Sequence, residues 1–206
     1  MTDLEFALTL RTPRLELVAA EPRVAVAEAA GSPHWYAPLG VAAPGTWPPP
    51  LNNAESITWF ARCIHADPSA LGWFGWYVIR TAPVRVLAGN CGFKGRPDQA
   101  GTIEIGYSLL PDYQRQGLGT ELTTALMRWA FAHGAVKRIM AETQPDLVAS
   151  VHLLEKHGFQ LVGRGSTRDA ILYELRRSVF ESRRERSADG VFQRADGRDG
   201  DADSIA

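Results

Sequence analysis

The chain has only two cysteines, Cys63 and Cys91, among its 206 residues. They form no CxxC pair, and the five histidines show no ligand spacing, so no metal site is expected. A disulfide is unneeded at this size, and reduced thiols fit a cytosolic protein. Charge of one sign is lacking as well. The 22 Lys and Arg nearly balance the 23 Asp and Glu, for a net charge of −1, and no global field draws the chain to nucleic acid or to an anionic membrane. No apolar run approaches the ~18 residues of a membrane span. The opening MTDLEFALTLRTPRLEL carries acids where a secretion signal carries bases ahead of an apolar stretch. A soluble, cytoplasmic protein is expected.

What is present is an ordinary globular composition, 45% hydrophobic and 22% charged, enough to fill one core. RLELVAA (14–20) alternates as a strand, and Glu21-Pro22 opens a short helix that stops near Gly31. A proline-rich loop with Trp35, Tyr36 and Trp47 fills 31–51, either a functional loop or a stiff connector. Residues 52–67 read as a helix, with Asn52 and Glu55 as a capping box and Ile57, Phe60, Ala61 and Ile64 on one face. Three strands in a meander follow at 73–80, 84–93 and 102–110. Leu118, Leu122, Ala125, Leu126 and Trp129 mark a helix ending at His133-Gly134. A strand at 136–143, a helix at 146–157 and two final strands (159–165 and 170–177) complete the pattern. It specifies an α/β (α+β) fold: a mixed, mostly antiparallel sheet of six to seven strands with helices on both faces. Residues 1–181 form one domain. From 182 to 206 apolar residues become scarce, and this mixed-charge tail is expected to be disordered.

Between the third meander strand and the strongest helix stands QRQGLG, residues 114–119. Gly117 suits a backbone with φ > 0, and Gly119 suits close packing of the helix. Glycines here also suit a phosphate cradle, in which bare backbone N–H groups converge at the positive end of a helix. The stretch lacks the Lys-Ser/Thr of a P-loop and the GxGxxG spacing of a dinucleotide fold.

The segment resembles the Q/R-x-x-G-x-G/A signature of the GNAT superfamily of acetyl-CoA-dependent N-acetyltransferases. LRTPRLEL, GNCGFKG (89–95), IEIGYSLLPDYQRQGLGTE (103–121) and SVHLLEKHGF (150–159) are similar, in that order, to the Rim-type branch, which includes ribosomal-protein N-terminal acetyltransferases. The resemblance covers about 9–177. It implies a single GNAT-like domain whose strands ending at Leu110 and at 136–143 splay apart. It implies acetyl-CoA as acyl donor, with the pyrophosphate on the backbone of Gln116, Gly117, Leu118, Gly119 and Thr120. Gln114 and Arg115 flank that loop, Arg115 within reach of a phosphate, while Leu109 and Leu110 border the pantetheine arm. A strand N–H near Leu109 would serve the oxyanion.

The acceptor implied is a primary amine, on a small molecule or a protein N-terminus, attacked directly in a ternary complex. Glu104, in mid-strand, matches the general base of the family; its plain alternative is a solvent-facing Glu. Two departures stand out. Leu154 occupies the place of the family's usual acid, a Tyr, and Leu147 that of an Asn that caps the helix and meets the pantetheine. Ser150 then becomes the candidate proton donor to the thiolate, unless it bonds back to a helix carbonyl. Asp146 is available as the cap. Tyr107, His152 and His157 are further proton carriers with structural alternatives. Trp35, Tyr36, Trp47, Trp73 and Trp76 are candidates to line an acceptor cleft. The two departures leave a non-catalytic acyl-CoA-binding module as the alternative function. A monomer or homodimer is expected.

Overall fold

Strand alternation sorts the apolar side chains onto two faces of one sheet in the computed structural model, which describes residues 6–42 and 44–195, with side chains to residue 186. The strands are β1 (Thr9–Arg11), β2 (Leu15–Ala19), β3 (Gly75–Arg80), β4 (Val86–Phe93), β5 (Thr102–Leu109), β6 (Arg138–Thr143), β7 (Gln160–Arg164) and β8 (Ile171–Arg176). They lie in the order β1-β2-β3-β4-β5-β6-β8-β7, and every pairing is antiparallel except β5 with β6. That parallel pair follows from its connection, because joining β5 to β6 through a long helix returns the chain in the same direction. The sheet holds one strand more than expected. β1 is only three residues long, too short for alternation to reveal, and pairs Thr9 with Val18.

The helices are α1 (Pro22–Ala29), α2 (Ala54–Ala66), α3 (Leu118–Ala132), α4 (Val148–His157) and α5 (Arg177–Ala195). α1 and α2 cover one face, where Val24, Ala25, Ala61 and Ile64 meet Val18, Tyr77 and Ile79. α3, α4 and α5 contribute to the other, where Leu122, Leu126, Leu154 and Phe180 meet Leu17, Val78, Ile103 and Ile105. Leu122 has no exposed surface, and truncating such a leucine to Ala costs about 2–5 kcal/mol.

Two boundaries differ from the sequence reading. The box that caps α2 is built by Asn53 with Ser56, one residue later than the Asn52–Glu55 pair. Asn52 instead accepts a bond from Asn90. Part of the segment expected to be disordered is helical: α5 continues to Ala195, and 196–206 lie outside the described residues. Its first turns are anchored. Phe180 packs 4.8 Å from Phe131, and the Arg183 guanidinium donates to the Lys156 carbonyl. Apolar scarcity in the tail hid this docking.

Candidate active site

β5 and β6 are joined only at their start, through Thr102 with Arg138, Ile103 with Ile139 and Glu104 with Met140. Past Glu104, β5 stays with β4 as far as Leu109, while β6 stays with β8 through Thr143. The two strands therefore part. On the β4 side, the Lys94 N–H donates to the Glu104 carbonyl at 3.0 Å and the Leu110 N–H to the Ala88 carbonyl at 2.8 Å. Antiparallel bonding alternates, so the even residues of β5 face β4, and Tyr107 and Leu109 turn their backbone groups toward the opening. The Leu109 carbonyl accepts from Gln114 Nε2 at 2.8 Å, and the Leu110 N–H is held by the Ala88 carbonyl.

At the mouth of this opening stands the start of α3. Gly117 is its N-cap, with φ 76°, and no side chain caps the helix. The first intrahelical donor is the Glu121 N–H, to the Gly117 carbonyl at 3.2 Å. The N–H groups of Leu118, Gly119 and Thr120 therefore have no helix carbonyl to meet, at the end where the helix dipole favours an anion. Both roles assigned to the glycines hold. A Cβ on Gly119 would lie 2.9 Å from Leu153 Cδ1, so α4 approaches α3 at that point. Gln114, Arg115, Gln116 and Gly117 are exposed, and among the described residues no side chain hydrogen-bonds the helix start as a cap. The two glutamines brace the loop from within, Gln116 Nε2 donating to the Asp112 carbonyl at 2.6 Å.

Arg14, unassigned in the sequence reading, fixes the loop from outside. Its guanidinium donates to the Gln116 carbonyl at 2.9 Å and pairs with Glu121 at 2.7 Å. Glu121 also accepts from Thr12 Oγ1 at 2.6 Å. These donors occupy both oxygens of the first-turn carboxylate.

Ser150 does not bond back to its own helix. Its hydroxyl lies 3.1 Å from the Tyr107 hydroxyl, and burial pushes the Tyr107 phenol above its ordinary pKa. Asp146 does not cap α4. The N-cap is Leu147, without a side-chain bond, because the Asp146 carbonyl already accepts the Val148 N–H in a tight turn. His157 bonds Thr123 at 2.7 Å and ties α4 to α3.

On the opposite face, Glu104 sits at the apex where β5 and β6 part, ion-paired with Lys94. Lys94 also borders a cavity of about 250 Å³ between the sheet and α2, walled by Ile57, Phe60, Ala61 and Ile64. The proline-rich loop closes it over. The Pro50 carbonyl accepts from Ser108 at 2.6 Å, Asn52 Oδ1 from Asn90 at 3.1 Å, and Trp47 Nε1 donates to Glu28 at 2.8 Å. The tryptophans divide between the faces. Trp35 and Trp47 pack on the α1–α2 side, whereas Trp73 meets Trp129 tilted and Trp76 meets it edge-on in the other core, at 4.7 and 5.4 Å. Alternation along β3 turns the Trp76 side chain into the Trp129 core, although Trp76 still borders the cavity.

The model of a family described as an acetyltransferase (GNAT) domain matches residues 8–160. The chain belongs to the GNAT acetyltransferase family. This GNAT enzyme is 32% identical over 123 residues to YjdG of Bacillus subtilis (strain 168), called an uncharacterized N-acetyltransferase; the match covers 60% of this chain and 72% of YjdG. Among solved structures, it is similar to RimL, a ribosomal L7/L12 α-N-protein acetyltransferase in complex with coenzyme A. That likeness has 18% identity, covers 84% of this chain and 99% of RimL, and has a TM-score of 0.59. The ribosomal-protein-S5-alanine acetyltransferase of Vibrio fischeri is alike at 19% identity, over 82% of this chain and 96% of that one, with a TM-score of 0.58. Identity so low speaks for the fold alone. Among the described residues of this GNAT enzyme no His, Cys, Asp and Glu cluster fit for a metal is present, and no helix is long and apolar enough to cross a membrane.

Proposed function

We propose that this N-acetyltransferase moves an acetyl group from acetyl-CoA to a primary amine, on a small molecule or a protein N-terminus, by direct attack. One observation carries the reading: β5 and β6 part after Glu104, between the bare N-terminus of α3 and the sheet face that carries the α2 cavity. The donor set fits the cofactor. The backbone N–H groups of Leu118, Gly119 and Thr120 suit a pyrophosphate, and the outward backbone of Tyr107 and Leu109 suits the amides of a pantetheine arm. Acetyl-CoA supplies the activated thioester.

The chain's own residues divide the proton work by face. An α-amine has a pKa of ~8 and a lysine amine ~10.4, so the acceptor must shed a proton before it attacks. Glu104, on the cavity face at the apex, takes that proton directly or through water. Ser150, on the opposite face, donates to the departing sulfur, with Tyr107 behind it. Tyr107 thereby offsets the absent tyrosine at Leu154, which weakens the case for a non-catalytic module.

The test is release of free thiol from acetyl-CoA across a panel of amines and short peptides. Turnover with at least one acceptor is expected. CoA at ~100 times its Kd should add about 2.7 kcal/mol of stability, and ATP none. CoA binding without turnover of any acceptor would favour the non-catalytic module.

A further inference from the structure

Glu28 is the one carboxylate among the described residues that border the α2 cavity, and proton transfer leaves it unused. It lies on α1 with Val24 and Ala25 on the buried side, and it borders the cavity together with Tyr77. One carboxylate oxygen accepts from the Tyr77 hydroxyl at 2.6 Å, the other from Trp47 Nε1 at 2.8 Å. Both donors are neutral. Glu16, Glu104, Glu121 and Glu174, carboxylates likewise set against the sheet, each hold an Arg or Lys. Among the described residues no cation pairs with Glu28. Burial raises its pKa, and the bonds from Tyr77 and Trp47 only partly oppose that. A desolvated carboxylate held by neutral donors gains most from a positive charge brought to it.

Register sets the reach. Tyr77 lies opposite Asn90, and Asn90 opposite Ser108, so one row crosses β3, β4 and β5 on the cavity face. Two strand spacings separate Tyr77 from Ser108 by roughly 10 Å. The wall beside this row is the apolar side of α2. We infer that the acceptor is a small bifunctional amine: one amine reaches the opening beside β5, an apolar body lies along α2, and a second, cationic head sits on Glu28. This rests on the cavity being the acceptor site of the reaction proposed above.

The probes are 1,8-diaminooctane, whose nine bonds of ~1.5 Å give an N-to-N span of about 11 Å in the extended zigzag, and octylamine, which lacks the far charge. The diamine should exceed octylamine in kcat/KM by between about ten- and a hundredfold, beyond its twofold statistical advantage. Glu28→Gln should bring the two amines level. Tyr77→Phe, which keeps the carboxylate, should retain the preference. Calorimetric binding of the diamine, lost in Glu28→Gln protein of native-like melting temperature, reads the contact without turnover. Equal kcat/KM in the unmodified enzyme, or a preference that survives Glu28→Gln, overturns the inference. Diamine binding through Glu28 without acetyl transfer to any amine would overturn the proposed reaction and, with it, the diamine's role as acceptor, leaving Glu28 as a cation-binding site alone.

Discussion

The Tyr107 hydroxyl meets the Ser150 hydroxyl at 3.1 Å, tying β5 to α4 beside the place where β5 leaves β6. Burial raises the phenol's pKa, so it stays protonated and able to donate to Ser150. When it donates to Ser150, the serine O–H is free to point at a leaving sulfur. Tyr107→Phe should lower kcat about fivefold, the value of one ordinary hydrogen bond, with little change in KM for acetyl-CoA. In a Ser150→Ala background the same change should do nothing further. Equal losses in both backgrounds would mean that the tyrosine acts by another route.

The two loop glycines should fail in different ways. Gly117 holds φ 76°, where a Cβ costs about 1–2 kcal/mol, and its nearest neighbour beyond the loop is the Arg14 guanidinium at 3.5 Å. Gly117→Ala should therefore lose stability and also distort the cradle, shrinking the melting-temperature rise produced by CoA. A methyl at Gly119 runs into Leu153, within the α3–α4 contact. Gly119→Ala should lower the melting temperature in proportion to that clash and keep more of the CoA-dependent rise. Scanning fluorimetry with and without CoA separates the two.

Much of this frame was legible because periodicity reports burial. The α3 stripe, the meander and the Gly117–Gly119 pair each stood in sequence where they stand in space. What escaped was pairing between distant segments. Arg14 and Glu121 are 107 positions apart, and nothing local marks them as partners. Ser150 and Tyr107 met for the same reason. Glu28 was within reach: a charged residue three and four positions after Ala25 and Val24 falls on the buried stripe of α1 and signals a carboxylate with work inside. Backbone parity was equally hidden, since one step along the chain from Leu109 to Leu110 exchanges the side facing the opening for the side bonded to Ala88.

Glu104 pairs with Lys94 at the apex of the strand opening. If it accepts the amine's proton, Glu104→Gln should reduce kcat about a hundredfold, the lower range of general-base catalysis, while KM for acetyl-CoA stays near its original value. Turnover unchanged at every pH would return Glu104 to the role of partner for Lys94 alone.

His157 makes stability depend on pH in a window set by its own titration. Burial first, and then the nearby charges of Lys156 and Arg183, depress its pKa from 6.5 to about 4. The folded state thus binds fewer protons than the unfolded state between those values. The associated stability is complete above pH 6.5, declines as pH falls, and is gone below about pH 4. The span corresponds to roughly 3 kcal/mol, or on the order of 2 kcal/mol once solvent screening at the partly exposed ring is allowed for. His157→Gln, which can keep a bond to Thr123, should be less stable than or similar to the unmodified protein at pH 7 and lose less on acidification. Urea midpoints at pH 7.5, 6 and 5 would show this as converging stabilities; parallel curves would place the acid sensitivity elsewhere in the fold.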